Sequence, residues 1–344
     1  MDQITKKKVE VQFLNASRAI LLKIEALFCR FTGMRPGLVL TVTALLVSAD
    51  AEAQVSTFSF LQTDVSARAA GLNGSFVSME DDPNLIFYNP AGLATLSAPR
   101  ASVGYMKHLL DVNFGSGSYA QEWEGVGTVG IGITYIDYGS FTETDASSNV
   151  LGTFGASEFS LVGGVGTAVD DETFVGANLK FIYSSIAEYR SSGLALDLGG
   201  LYRIPSEGIT VGASILNLGR QLSTYAGVRE SLPLDVAVGI TKRPEHLPVY
   251  LNLDFHRLNE NASSLGDRLS AFTFGAEFLV SESVRLRLGY SNQQRKELSL
   301  GTAVGLAGFS IGGGFQFQQY LLDYSFNSYG TIGGLHRISL GMSL

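Results

Sequence analysis

The chain has 344 residues, of which 40 are glycine and only 16% are charged, with 24 basic and 32 acidic side chains. A disordered chain is excluded, because disorder goes with high charge and few aromatic residues, whereas this sequence has 21 phenylalanines and 14 tyrosines. The glycine content argues against a helical bundle, since a glycine inside a helix costs about 1 kcal/mol. A net charge of −8 argues against a nucleic-acid partner. The composition therefore predicts a chain built of strands.

An export signal is predicted near the N-terminus. After the basic Arg35, residues 38–47 are almost wholly apolar, and Ala51-Glu52-Ala53 precedes Gln54. This pattern is typical of a secretory signal peptide that is cleaved after Ala53. The apolar run is shorter than the roughly 20 residues that a membrane-spanning helix needs. Residues 1–33 are then either an extended signal region or the product of an upstream start codon. We favour the second, with Met34 as the true start.

Residues with the usual chemistry of active sites are few. The only cysteine, Cys29, precedes the predicted cleavage site, so the mature chain is expected to hold neither disulfides nor thiol ligands. The histidines are never paired at metal-ligand spacing; they are His108, His246, His256 and His336. The mature chain also lacks the Ser-x-x-Lys motif of serine acyl-enzymes. We predict no enzyme, and therefore no catalytic residue, no cofactor and no metal.

Period-2 alternation recurs along the mature chain. One example is a stretch in which apolar Leu286 and Leu288 alternate with Arg285 and Arg287. Such alternation is typical of strands with one apolar and one polar face. Strands are predicted at 101–109, 112–122, 126–138, 155–168, 173–186, 191–204, 208–218, 233–243, 247–258, 270–280, 283–292, 308–318, 320–329 and 335–344. Most exceed the five or six residues usual in soluble proteins and suit tilted strands that cross a bilayer.

The predicted connections alternate between short and long. The long ones all follow odd-numbered strands and include 139–154, 219–232, 259–269 and 293–307. Transmembrane barrels show this asymmetry, with tight turns on the periplasmic side and longer loops outside. The sequence therefore predicts an all-β protein, a 14-stranded antiparallel transmembrane β-barrel in the outer membrane of a diderm bacterium. Both ends of the barrel are then expected in the periplasm.

The segment before the first strand is expected to fill the barrel as a plug. Asn89 followed by Pro90 is typical of a helix start, with a capping side chain and a ring that fixes φ. Glycines inside strands leave room for another backbone in the lumen. The alternative is a periplasmic extension. The predicted organisation is a signal region (1–53), an N-terminal plug (54–100) and a barrel (101–344).

Charged side chains share the polar face of the predicted strands, among them Asp254, Glu277, Arg285 and Arg287. They either line a polar path through the pore or pair with one another and with Arg68 or the acidic 80–82 of the plug. We favour pairing, because charges left unpaired in an interior are costly.

Several stretches carry a resemblance to a known family. The predicted plug, from Ser66-Ala67-Arg68 through Asp82-Pro83 to Asn89-Pro90-Ala91-Gly92-Leu93, resembles the start of PorV/PorQ outer-membrane proteins. The stretches that resemble the PorQ branch are 138–141, 151–154, 179–185, 216–219, 229–233 and 305–309. The likeness covers about residues 58–340. The Asn89–Leu93 motif itself is shared with the wider group of fatty-acid-transporter-like barrels.

The resemblance implies a role in the type IX secretion system, as an outer-membrane component that anchors a surface partner. That partner would be a protein of the PorZ type, beside PorU and PorV, and the barrel would contact outer-membrane lipid. The loops 139–154 and 293–307 are the expected docking surfaces. The family implies no catalytic residues. The alternative is a fatty-acid-transporter-like channel for hydrophobic small molecules, which needs an apolar pocket and a strand kink that opens to lipid.

Overall fold

The structure is a computed structural model that describes residues 57–107, 112–260, 262, 264–298 and 305–344. The predicted signal region, His108 and residues 299–304 of the last predicted loop lie outside the described residues. No helix in the described ranges is long and apolar enough to cross a membrane.

Fourteen strands form one closed antiparallel barrel, in which each strand pairs with its neighbours in sequence and β1 pairs with β14. The strands are β1 (Arg100–Lys107), β2 (Asn113–Trp123), β3 (Gly127–Thr144), β4 (Val150–Ala168), β5 (Thr173–Ile186), β6 (Tyr189–Ile204), β7 (Ile209–Ser223), β8 (Asp235–Lys242), β9 (Val249–Phe255), β10 (Phe272–Leu279), β11 (Val284–Ser291), β12 (Phe309–Phe317), β13 (Tyr320–Ser328) and β14 (Gly334–Ser343). The predicted fold class is confirmed.

The alternation of side chains separates an apolar exterior from a polar interior. On β11, Leu286 and Leu288 are 51% and 50% exposed, whereas Arg287 between them is 0% exposed. The same holds on β14, where Ile338 and Leu340 point outward. Successive strand side chains point to opposite faces, so closure of the sheet places one set of them outside. An apolar outer band of this kind is typical of barrels that face lipid.

The two ends of the barrel differ. The longest connections, 224–234, 256–271 and 292–308, lie at one end, which we call the loop end. The other end, with only short connections and both ends of the barrel, is the turn end. Two short helices, α2 (Leu265–Arg268) and α3 (Asn292–Glu297), lie within the loop-end connections.

The wall rises highest at β3 and β4, with 18 and 19 residues. The predicted loop 139–154 is therefore mostly strand, turning at 145–149. The polar residues around Glu143 suggested a loop, but the ladder continues past a bulge, and Phe141 stacks on Phe154 across it at 5.3 Å between ring centroids. Cross-strand aromatic pairs of this kind stabilise a sheet.

The described residues before β1 form what we call the inner segment, residues 57–99. It contains α1 (Ala67–Gly71) and 3-10 helices at Ser59–Gln62, Pro83–Phe87 and Pro90–Thr95. Asn178 Nδ2 of β5 donates to Ile86 O at 2.7 Å, and Ser310 Oγ of β12 donates to Gly71 O at 3.0 Å. In this ring of fourteen, β5 and β12 stand opposite each other. A segment that contacts both lies inside the barrel.

Candidate functional site

The inner segment fits the wall so closely that the lumen is closed at mid-height. A Cβ on Gly176 of β5 would lie 2.4 Å from Pro90 C, and one on Gly212 of β7 would lie 2.4 Å from Val77 O. Real Cβ atoms do not approach that closely, so only glycine lets the two backbones meet here. The strand glycines thus explain how a second layer of backbone fits within the barrel.

The Asn89–Leu93 motif fixes one 3-10 helix to the wall. Asn89 Nδ2 donates to Val77 O at 2.7 Å and to Gly200 O at 3.1 Å, while its Oδ1 accepts from Ala91 N at 3.2 Å. The other motif residues, Pro90, Ala91, Gly92 and Leu93, are buried in that helix. The geometry gives the motif a structural role, because all its polar groups are used internally.

A buried network of charges joins the inner segment to the wall. Arg68 of α1 pairs with Asp82 at 3.1 Å and with Glu277 of β10 at 2.9 Å. Arg287 pairs with the same Glu277 at 2.5 Å and with Asp323 of β13 at 2.6 Å. Burial alone would lower the pKa of Arg68, but the carboxylates of Glu277 and Asp82 outweigh it and raise that pKa. The network binds the helix to three strands.

The two other charges singled out from the sequence lie apart from this network. Arg285 is half-buried, its Nη2 donates to Gln316 Oε1 at 3.2 Å, and no carboxylate in the described residues forms an ion pair with it. Asp254 is 0% exposed and its Oδ2 accepts from Val77 N at 2.8 Å. The interior therefore combines paired charges with a carboxylate held by backbone.

A cavity of about 490 Å³ opens at the loop end. One wall is largely apolar and consists of Phe60, Leu61, Met106, Ile136, Tyr138 and Leu335. The lining also includes charged side chains, among them Asp64, His256 and Arg337, and Arg337 lies two residues from Leu335 on the same face of β14. Burial raises the pKa of Asp64, although the positive Arg337 opposes the rise. The sequence pattern did not predict this cavity, because the strands and the inner segment that line it are far apart in the sequence.

A second cavity of about 450 Å³ opens at the turn end. Besides Arg68 of α1, four arginines of the barrel contribute to its lining, namely Arg100, Arg203, Arg243 and Arg285. Two of them are neutralised by the inner segment: Arg203 pairs with Glu80 at 2.6 Å and Arg100 with Asp81 at 2.7 Å. The fully buried middle of the inner segment separates this cavity from the one at the loop end.

The wall is interrupted between β7 and β8. Their ladder ends at Leu216 and Asp235, and from Asn217 onward β7 pairs only with β6. Asn217 has φ of 61°, and its Nδ2 donates to Pro233 O at 3.0 Å. The loop-end cavity reaches this interruption, because Leu216, Asn217 and Asp235 all line it. The connection 224–234 covers the gap.

Among the residues that the structure describes, no group of three or more His, Cys, Asp or Glu side chains is placed to hold a metal ion.

Comparison with known proteins establishes the fold. No family model matches the chain, and no curated protein matches its sequence. The toluene transporter TbuX of Ralstonia pickettii has a similar structure, with a TM-score of 0.57 and 11% identity over 81% of this chain and 98% of that one. A Pseudomonas aeruginosa FadL homologue has a TM-score of 0.51 and 11% identity over 81% and 98% of the two chains.

A third similar structure is the toluene transporter TodX of Pseudomonas putida, with a TM-score of 0.52 and 12% identity over 80% of this chain and 96% of that one. At such identities the likeness concerns the fold. None of these comparisons bears on the PorV/PorQ resemblance.

Proposed function

We propose that the chain is an outer-membrane barrel that passes small hydrophobic molecules. The observation that carries this proposal is the loop-end cavity. Part of its lining is apolar, and the buried inner segment lies between it and the turn end of the barrel. The apolar exterior suits a lipid environment, and the fold is similar to those of two toluene transporters. The loop end then faces outward, and both ends of the barrel face the periplasm.

The exit for such a molecule is the interruption between β7 and β8. Movement straight through the barrel would require displacing buried charge pairs and backbone contacts, which is costly. At the interruption, by contrast, no ion pair among the described residues holds the connection 224–234. It is held by hydrogen bonds, among them those from Asn217 Nδ2 to Pro233 O, from Glu230 N to Gln221 Oε1 at 2.8 Å and from Thr57 N to Ser231 O at 3.0 Å, and by the buried side chain of Leu232. Displacing this connection would open the cavity sideways toward lipid.

Disulfide locking tests this route. The double variant Gln221→Cys/Glu230→Cys would tie the connection to β7 under oxidation. We expect uptake of radiolabelled toluene into cells to fall at least tenfold on oxidation and to recover on reduction. The matched control is Ser192→Cys/Ser223→Cys, which joins register partners on β6 and β7 whose hydroxyls already lie 2.8 Å apart.

The control disulfide should leave uptake unchanged, because β6 and β7 stay paired in any case. Equal uptake by the oxidised and reduced forms of the first variant would contradict the proposal that molecules leave between β7 and β8. If cells with the wild-type protein take up no more toluene than cells without it, the transport proposal itself is contradicted.

The second proposal is that the protein anchors a surface partner of the PorZ type in type IX secretion, with PorU and PorV in a larger complex. The raised wall at β3 and β4 supports it, because apolar side chains there face solvent beyond the height of the neighbouring strands. Phe141, Val150 and Leu151 are 42%, 69% and 63% exposed. Exposed apolar clusters of this kind commonly mark protein contacts.

A pull-down from detergent-solubilised outer membranes tests the anchor. We expect the tagged protein to retain a surface protein at equal stoichiometry, and the variant Val150→Ser/Leu151→Ser to lose it. The control Ser147→Ala/Ser148→Ala changes the adjoining turn without removing apolar surface. Recovery of the wild-type barrel without a surface protein would exclude the anchor and leave the transport proposal standing.

A further inference from the structure

The inward side chains of β9 form a row that runs from one cavity to the other. Tyr250 lines the turn-end cavity, and His256, just past the end of the strand, lines the loop-end cavity. Asn252 and Asp254 lie between them at the same period of two and are 1% and 0% exposed. Polar side chains thus continue along this row from one cavity to the other, as they also do on β13 through Asp323, Ser325 and Asn327.

Several polar atoms in this row are buried without a hydrogen-bond partner among the described residues. They are both amide atoms of Asn252, Oδ1 of Asp254, Nε2 of His256 and, on the neighbouring β10, Oγ1 of Thr273. Thr273 is the register partner of Asp254. Buried polar groups in folded proteins are nearly always satisfied, by protein or by ordered water.

Neither register partner of Asn252 satisfies its amide. Gly275 on β10 has no side chain. Thr241 on β8 bonds to Ser78 Oγ at 2.8 Å and to Met79 Sδ instead. An asparagine amide has two donors and an acceptor, and ordered water beside it would satisfy them.

We propose that a file of water molecules runs along the inner face of β9 and connects the two cavities. Side chains two residues apart on a strand are separated by about 6.7 Å, which one or two waters span at hydrogen-bond distances of about 2.8 Å. A buried water makes about three hydrogen bonds, and the row supplies donors and acceptors in succession.

Such a file gives the barrel a second activity, the passage of protons along hydrogen-bonded water. We expect the file to exclude hydrophobic molecules, because Leu72 and Val77 of the inner segment pack closely against the wall beside it. The inference rests on the proposed membrane location, but it does not depend on the hydrophobic cargo.

Proton flux into vesicles tests the inference. Purified protein is reconstituted into vesicles that contain a pH-sensitive dye, and a pH step is applied with the membrane potential clamped. We expect wild-type vesicles to equilibrate at least tenfold faster than empty ones. The variant Asn252→Leu has a similar volume but no polar group, and it should lose at least nine-tenths of that flux. Thr273→Val serves as a second variant should Asn252→Leu fail to fold.

The matched control is Ser160→Ala, an inward residue of β4 that is 1% exposed and whose hydroxyl is already paired with Thr134 Oγ1 at 2.8 Å. Its flux should equal that of the wild type. The inference is overturned if inserted wild-type protein adds no flux, or if Asn252→Leu and Thr273→Val both conduct like the wild type.

A crystal structure of the detergent-purified protein separates this inference from the membrane proposal. We expect ordered waters within hydrogen-bonding distance of Asn252 and of Asp254 Oδ1. If the crystal structure shows no water at these atoms, and they are hydrogen-bonded to protein instead, the proposed water file is contradicted even if the protein inserts into vesicles. Failure to insert would overturn the membrane location, and the waters alone would then decide whether the file exists.

Discussion

At the scale of single residues, the interior shows how charge is accommodated inside a filled barrel. Glu277 receives two guanidinium groups, and each of these has a second carboxylate. Buried charges are tolerated when they are paired and hydrogen-bonded. The alternation of the sequence indicated which side chains face inward, but the pairing depends on α1 lying against β12 and β13, from where Arg68 reaches Glu277.

Arg287→Ala tests the network. The change leaves Glu277 and Asp323 buried with one fewer cation, so we expect the free energy of unfolding to fall by about 3–5 kcal/mol. The control is Arg285→Ala, two residues earlier on the same face, where one hydrogen bond is lost and the cost should be at most about 1.5 kcal/mol. Urea unfolding of the refolded barrels provides the measurement, and equal costs for the two variants would contradict the network's role.

Asp170 tests the electrostatics of a turn outside the strands. Its carboxylate accepts from Glu172 N at 2.9 Å and from Thr173 N at 2.7 Å, and these bonds hold its pKa below the ordinary value. Because the pKa of Asp170 is lower in the folded state, its ionised carboxylate stabilises the fold at pH values above the unfolded-state pKa of about 3.9. This stabilisation is lost as the pH falls through the pKa of the folded state.

We therefore expect Asp170→Ala to unfold at lower urea than the wild type near neutral pH and to match it in strong acid. The adjoining Asp171→Ala should match the wild type at both pH values. A gap between Asp170→Ala and the wild type that persists in strong acid would show that the carboxylate's charge is not the cause.

At the scale of elements, the 3-10 helix Pro90–Thr95 illustrates how a local signal and a distant surface combine. Its cap is encoded in the adjacent Asn89 and Pro90, which any segment could use to start a helix. Its position is set by Gly176 and Gly199, on strands that a sequence pattern does not connect with it. The strand glycines predicted that another backbone would lie close to the wall, but they did not predict that it would be this helix.

Gly176→Ala tests that contact. The new Cβ would fall on the backbone at Pro90 and Ala91, so the helix must shift, and we expect a loss of at least about 1–3 kcal/mol together with faster proteolysis of the inner segment. The control is Gly163→Ala, where an added Cβ meets nothing within 4 Å. Limited proteolysis followed by mass spectrometry measures the effect. If both variants resist protease like the wild type, the close approach does not position the helix.

At the scale of the whole molecule, closure of the sheet and filling of its lumen are separate events. The strands satisfy their own backbone groups around the ring, which is what a bilayer demands. The inner segment then supplies apolar packing and buried ion pairs that the inward side chains could not make with one another. The barrel should therefore survive without it, as an open and hydrated pore.

Deletion of residues 57–99 tests this separation. We expect the truncated barrel to show large, steady conductance steps in planar bilayers, whereas the full chain shows none of that size. A control in which 142–153 is replaced by a short turn removes raised wall and should keep the lumen closed. If the truncated protein inserts but stays non-conducting, something other than the inner segment closes the lumen.

The barrel could be predicted from the amino-acid pattern alone, because a period of two is a local property and a long alternating strand has few other ways to bury one face and hydrogen-bond its backbone. Most predicted strand positions, such as 173–186, lie where the structure has strands. The hairpin at 139–154 departed from this, since its polar composition suggested a loop while cross-strand pairing kept it extended.

The positions of the cavities, the interruption of the wall and the pairing of the charges could not be predicted from that pattern. Asn252 shows the reason most clearly. Its sequence neighbours mark it as inward and polar, but its lack of a partner arises from Gly275 and Thr241 on adjacent strands and from the inner segment that covers them. Whether a buried side chain has a partner depends on residues that are far apart in the sequence. These residues come together only when the barrel closes around the inner segment.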